Sequence, residues 1–158
     1  METFQLSEEL LKKIADLISA KKNTPLKKIV KDIHFADMAE IINELNEQQG
    51  IYLIKLFDSE KTSEILTELD EDVREKILKA LSVKEIAHEI EELDSDDAAD
   101  ILGELSDERK EEVISEISDD NLADDLKELL SYEEDSAGGL MAKELVQANE
   151  NWSVTKCL

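Results

Sequence analysis

The stretch LTELDEDVREKILKALSVKEIAHEIEEL, residues 66–93, sets Leu69, Leu81 and Leu93 twelve residues apart, with Leu66, Leu78 and Ile90 three residues before each. A spacing of three puts both apolar side chains of a unit on one face of a helix. Directly after the later column come Asp70, Ser82 and Asp94, residue types that open helices by accepting a backbone N–H. The stretch therefore reads as two-turn helices, each started by a cap that also ends its predecessor.

The register extends outward in both directions. The later column runs Leu45, Phe57, Leu69, Leu81, Leu93, Leu105, Ile117 and Leu129; the earlier one runs Ile42, Ile54, Leu66, Leu78, Ile90, Leu102, Ile114 and Leu126. Caps are expected at or near Asn46, Asp58, Asp70, Ser82, Asp94, Ser106 and Ser118, with Asn46–Gln49 and Ser82–Glu85 spaced as capping boxes. A two-turn helix is not stable alone in water, because nucleation costs more than so few hydrogen bonds return. Each unit must bury its apolar pair against its neighbours, which predicts an all-α solenoid. A weaker period of 24 overlies the first: Glu44, Glu68 and Glu92 share a position that Leu56 and Ala80 hold in the units between. That alternation predicts helices working in pairs.

Before the repeat, residues 4–20 read as one amphipathic helix, and a second starts around Pro25, a good first-turn residue. After it, the Gly138-Gly139 pair predicts a backbone break and Glu144–Ala148 an extended stretch, so a domain boundary is expected near residue 135. The net charge of −23 is concentrated: residues 37–135 carry 34 acids against 9 bases, whereas residues 1–36 come to +2 and residues 136–158 to zero. Such a block repels nucleic acid and anionic membrane surfaces and attracts cations. The chain has no apolar run of membrane-spanning length, no signal-peptide pattern at its start, and a single cysteine, Cys157, which fits a reducing compartment.

Catalytic chemistry finds no constellation, and the chain is not expected to be an enzyme. Cys157 is nearly terminal, His34 and His88 read as helix-surface or boundary residues, and Trp152 reads as part of a following domain. LDSDDAADILGEL (residues 93–105) superficially resembles a calcium loop, but Ala98, Ala99 and Leu105 stand where an EF-hand needs an oxygen ligand, a glycine and a glutamate. Asp96 and Asp100, four apart, share a helix face, with Asp97 adjacent. Two readings stand: acids favoured by the helix dipole, or part of a hard-cation site completed from elsewhere.

The units FADMAEIINEL and SDDAADILGEL, followed by LSYEEDSAGGLM, resemble the N-terminal cytosolic domain of MgtE-family magnesium transporters over roughly residues 33–146. The resemblance implies a right-handed superhelix of short helices (residues 1–135) joined to a CBS module, whose truncated start would be residues 136–158. Beyond it the family has a dimeric membrane pore, so the domain would lie on the cytoplasmic side of the membrane. Its partners would be the CBS module and pore of its own chain, within a homodimer, with no nucleic acid and no membrane insertion by this fragment. The resemblance further implies Mg²⁺ sensing: ions bridging N-domain and CBS carboxylates would hold the pore closed. By position the ligands fall on Glu64, Asp96 and Asp100, with Asp97 secondary. Mg²⁺ binding by the fragment alone is expected to be weak. The alternative is a helical scaffold or protein-interaction domain similar to the flagellar motor switch protein, against which the SAGGLM junction argues.

Overall fold

The computed structural model describes residues 6–133, 136–144 and 155. Ten helices fill the first of these spans: α1 (Glu8–Ser19), α2 (Asn23–Val30), α3 (Phe35–Glu44), α4 (Glu47–Ile54), α5 (Ser59–Glu68), α6 (Glu71–Ala80), α7 (Val83–Ile90), α8 (Ser95–Gly103), α9 (Asp107–Glu116) and α10 (Asp120–Leu129). No strand occurs among the described residues.

The caps fall where the twelve-residue register puts them, with one exception. Asn46 and Ser82 form full capping boxes with Gln49 and Glu85, and Asp58 accepts the Lys61 N–H. At the last unit the cap is Asp119 rather than Ser118: its carboxylate accepts from the Asn121 and Leu122 N–H groups. The Ser118 N–H is engaged elsewhere, by the Glu91 carboxylate. A carboxylate accepts at least as well at this position as a hydroxyl, and the adjacent acid takes it. Helix α1 begins at Glu8, capped by Ser7; the expected start at residue 4 lies outside the described residues.

The two apolar columns share the core unequally. In the earlier column every residue but Ile114 is buried; in the later one Leu69, Leu81, Ile117 and Leu129 are buried, while Leu45, Phe57, Leu93 and Leu105 are only partly covered. The later column sits at helix ends, where the chain turns and solvent reaches part of each side chain. A third set completes the core one residue before the earlier column: Ile41, Leu53, Ile65, Ile77 and Ile101.

Packing runs between alternate helices. Helix α3 lies on α5, α5 on α7 and α7 on α9; α4 lies on α6 and α8 on α10; α1 supports α2 and α4. This two-helix repeat is the physical content of the 24-residue alternation. It also explains a ladder of polar contacts between residues 27 to 31 apart. The Asp70 N–H donates to Asn43 Oδ1 at 3.3 Å, Lys55 Nζ to Glu85 at 3.2 Å, and Lys61 Nζ to the carbonyls of Val30, Lys31 and Ile33 at 2.8–3.3 Å. Arg109 closes the end of α6 in the same way, donating to the carbonyls of Leu78 (3.1 Å) and Leu81. Cations at helix C-termini satisfy carbonyls that lack an intrahelical donor and complement the dipole.

Gly138-Gly139 is not a break. The Leu140 N–H donates to the Ser136 carbonyl at 3.1 Å, and the Gly139 N–H to Ser136 Oγ at 3.1 Å, forming a closed turn. Gly138 is required by close approach: a Cβ there would sit 2.6 Å from Tyr132 Cγ. The expected extended stretch beyond Glu144 and the expected start of a following module, with Trp152 and Cys157, lie outside the described residues.

Candidate functional site

Helix α8 carries three of the four predicted ligands. Ala98, Ala99, Ile101 and Leu102 are buried and fix its rotation against α10 and α5. The opposite side is thereby turned outward, with Asp96 partly covered and Asp97 and Asp100 exposed. Burial, then the charges of Asp96, Asp100, Asp94 and Glu68, holds the Asp97 carboxyl above its ordinary pKa. Asp100 is raised by burial and by Asp96, with Arg74 pulling the other way and Glu104 adding to the rise. These carboxylates therefore repel one another in a place where solvent screening is reduced.

Glu64 is set apart. It lies exposed on α5 beside a hollow lined by His34, Phe35, Asp58, Glu60 and Lys61. It acts on the Lys61 ammonium, whose pKa burial lowers and Asp58, Asp32 and Glu64 partly restore. It is not among the charges acting on Asp97 or Asp100; the α5 carboxylate that reaches Asp97 is Glu68. Sequence reasoning placed Glu68 in a column without assigning it a role. The 24-residue alternation was the available signal, since it sets Glu68 and Glu92 on one repeating face.

Asp100 itself borders a cleft of about 410 Å³, lined also by Glu71, Arg74, Glu104, Lys110 and Tyr132. Arg74 organises it, donating from Nε to Glu104 Oε1 at 2.9 Å, with Nη2 on the same oxygen, and from Nη1 to the carbonyls of Leu66, Thr67 and Leu69 at 3.1–3.3 Å. Glu104 Oε2 is buried and has no hydrogen-bond partner among the described residues. Arg74 and Glu104 were invisible to sequence reasoning, because nothing in a run of charged residues marks the pair that will be desolvated.

Among the described residues no group of three His, Cys, Asp or Glu side chains converges as a ready metal site. The α8 donor set is nevertheless carboxylate oxygen throughout, the chemistry that Mg²⁺ and Ca²⁺ prefer. One or two carboxylates suffice for a Mg²⁺ that keeps most of its water. Among the described residues no helix is long and apolar enough to cross a membrane.

The family model for the MgtE intracellular N domain matches residues 33–135. No curated protein matches the chain. Two solved structures are similar to it. One, the soluble part of a magnesium transporter, has a TM-score of 0.74 at 21% identity over 88% of this chain and 55% of that one. The other, the cytosolic domain of the Mg²⁺ channel MgtE in complex with ATP, has a TM-score of 0.75 at 26% identity over 86% of this chain and 56% of that one. The chain thus spans about half the length of these relatives.

Proposed function

Because this chain belongs to the MgtE intracellular N-domain family, we propose that it is the Mg²⁺-sensing regulatory domain of a magnesium transporter. The role is one of gating rather than catalysis. Asp96, Asp97 and Asp100 on α8 supply half of a divalent-cation site, and Glu64 on α5 contributes separately. The other half comes from carboxylates of a CBS module, for which residues 136–158 are the lead-in. The domain works on the cytoplasmic side, within a homodimer whose pore lies elsewhere in the chain.

The observation that carries this reading is the crowding of like charge on α8: burial, then Asp96, Asp100, Asp94 and Glu68, raises the Asp97 carboxyl. Two unit charges ~6 Å apart in water repel by about 0.7 kcal/mol, and reduced screening increases this. A second acidic surface brought against α8 is therefore repelled unless a divalent cation lies between them. Differential cation affinity for the closed arrangement is what shifts the population.

The test uses a complete transporter carrying this domain. Replacing Asp96 and Asp100 together with alanine leaves helicity and assembly intact and makes conduction less sensitive to inhibition by cytosolic Mg²⁺. If inhibition is unchanged in that double variant, the α8 acids are dipole-favoured helix starters and the sensing role is wrong.

A further inference from the structure

The end of the molecule that precedes the acidic repeat carries the opposite charge. KKNTPLKKIVK, residues 21–31, holds five lysines and no acid. Lys27, Lys28 and Lys31 are exposed and, with Asn23 and Thr24, line one open hollow on α2. The helix buries Leu26 and Val30 and packs chiefly on α1, which leaves the lysine side open to solvent. Two observations set these lysines apart from the other bases. Each of the nine bases in residues 37–135 is engaged, seven by carboxylates and two, Lys61 and Arg109, by backbone carbonyls. Among the described residues, none of the five lysines in 21–31 has a carboxylate within ion-pair distance. Lysines in a last turn commonly close the helix end, but here Lys61 Nζ takes the carbonyls of Val30, Lys31 and Ile33.

We propose that the lysine face of α2 is a docking surface for an anionic phospholipid bilayer, held by charge and without insertion. Lys27, Lys28 and Lys31 are flexible point charges, a set that suits a spread of phosphates better than a single anion. Leu26 and Val30 are committed to the core, so the contact is electrostatic. The acidic repeat opposes binding only at short range. At ~0.15 M salt the screening length is about 8 Å, less than the ~10 Å diameter of one helix, so charge one layer behind α2 is largely screened. Its repulsion instead orients the domain, turning α2 toward the surface. That a membrane lies close to this domain rests on the transporter reading above; the affinity for lipid does not.

Co-sedimentation of the 158-residue chain with vesicles tests this, at ~0.15 M monovalent salt and with a chelator removing divalent cations. The vesicles are phosphatidylcholine alone or with about one-third phosphatidylglycerol. Wild type pellets with the anionic vesicles only. At about fivefold per lysine, K27Q/K28Q/K31Q lowers the partition coefficient about 100-fold. K76Q/K79Q/K84Q changes the net charge equally, at lysines already paired with acids, and binds like wild type. Both variants keep wild-type helicity, because all six side chains are exposed. Wild type that stays in the supernatant, or binds both vesicles equally, overturns the proposal. So does an equal loss in the two triple variants, which assigns the effect to net charge. Lysine-dependent pelleting without vesicles gives the face to a second copy of this chain and overturns the lipid assignment. Failure to bind lipid leaves the sensing role standing, since that role is tested at Asp96 and Asp100. Unchanged Mg²⁺ inhibition in that test likewise leaves lipid binding standing.

Discussion

Two neighbouring corners of this molecule, both bordering one cleft, treat charge in opposite ways. At the C-terminal end of α5, Arg74 gathers three backbone carbonyls and the carboxylate of Glu104, and both side chains are largely covered (16% and 17% exposed). At the N-terminal end of α8, four aspartates crowd within seven residues (Asp94, Asp96, Asp97 and Asp100), with Arg74 acting on Asp100. In a segment with nine bases, the buried cations close helix ends and lock successive layers together, as Lys61 and Arg109 do elsewhere. Cations spent there are not available to neutralise α8. The contrast separates charge that builds the fold from charge left over for a ligand.

The largest expected effect breaks the first corner. Arg74→Ala leaves Glu104 covered and unpaired and opens three carbonyls, which costs about 3 kcal/mol in urea unfolding. Adding Glu104→Ala recovers part of that loss. A cost below about 0.5 kcal/mol would place the pair among solvent-screened surface ion pairs and erase the contrast.

Next in size is Glu89, on α7, where an acid lacks a partner as at α8. Its Oε2 is buried without a hydrogen bond to any of the described residues. Burial, then Glu92, Glu85 and Asp58, raises its pKa from 4.5 to about 7. A raised folded-state value means the folded protein binds the proton more tightly than the unfolded chain. The associated stability is full below pH 4.5 and is lost as pH rises through about 7. Glu89→Gln, which cannot ionise, is therefore near neutral at pH 4.5 and stabilising by about 1–2 kcal/mol at pH 8, after allowing for solvent screening of a part-exposed group. Thermal melts at the two pH values read this directly.

Helix caps sharpen the comparison further. Asp119 bonds its own first turn, whereas Asp94 does not. Asp119→Ala should cost about 1 kcal/mol, and Asp94→Ala only a few tenths, because Glu144, accepting the Ser95 N–H, does the capping at α8. Comparably small, and opposite in sign, is the effect of Asp97→Asn. Removing one of several mutually repelling charges stabilises by about 0.5 kcal/mol at low ionic strength. That gain should shrink on adding salt and shrink further with Mg²⁺ at the same ionic strength. A destabilising Asp97→Asn would mean that the helix dipole outweighs the repulsion at this corner.

Much of the architecture was open to inspection before any coordinates. The earlier apolar column, the caps at Asn46, Asp58 and Ser82, and the two-helix period all follow from local rules: a three-residue spacing makes a helix face, and a short polar side chain starts the next turn. At the last unit the cap falls one residue beyond Ser118, on Asp119, because two adjacent residues could both serve and local rules do not rank them. The partly exposed members of the later column, Leu45, Phe57, Leu93 and Leu105, were also beyond local rules, since their coverage depends on which helix lies across each turn. At the site, Asp96 and Asp100 were legible as one helix face, with Asp97 adjacent. Their separation from Glu64, and the approach of Glu68 in its place, depend on how α5 lies against α8.

Sequence alone determined that this protein is a stack of short helices carrying a concentrated negative charge, because periodicity and net charge are sums over neighbours along the chain. Only the tertiary structure decided which charges are stabilising and which are exposed in excess. Arg74 with Glu104, Arg109 with the end of α6, and Ser95 with Glu144 join residues about 30 or nearly 50 positions apart. The energy of such a pair depends on distance and desolvation, and neither is written in the order of residues.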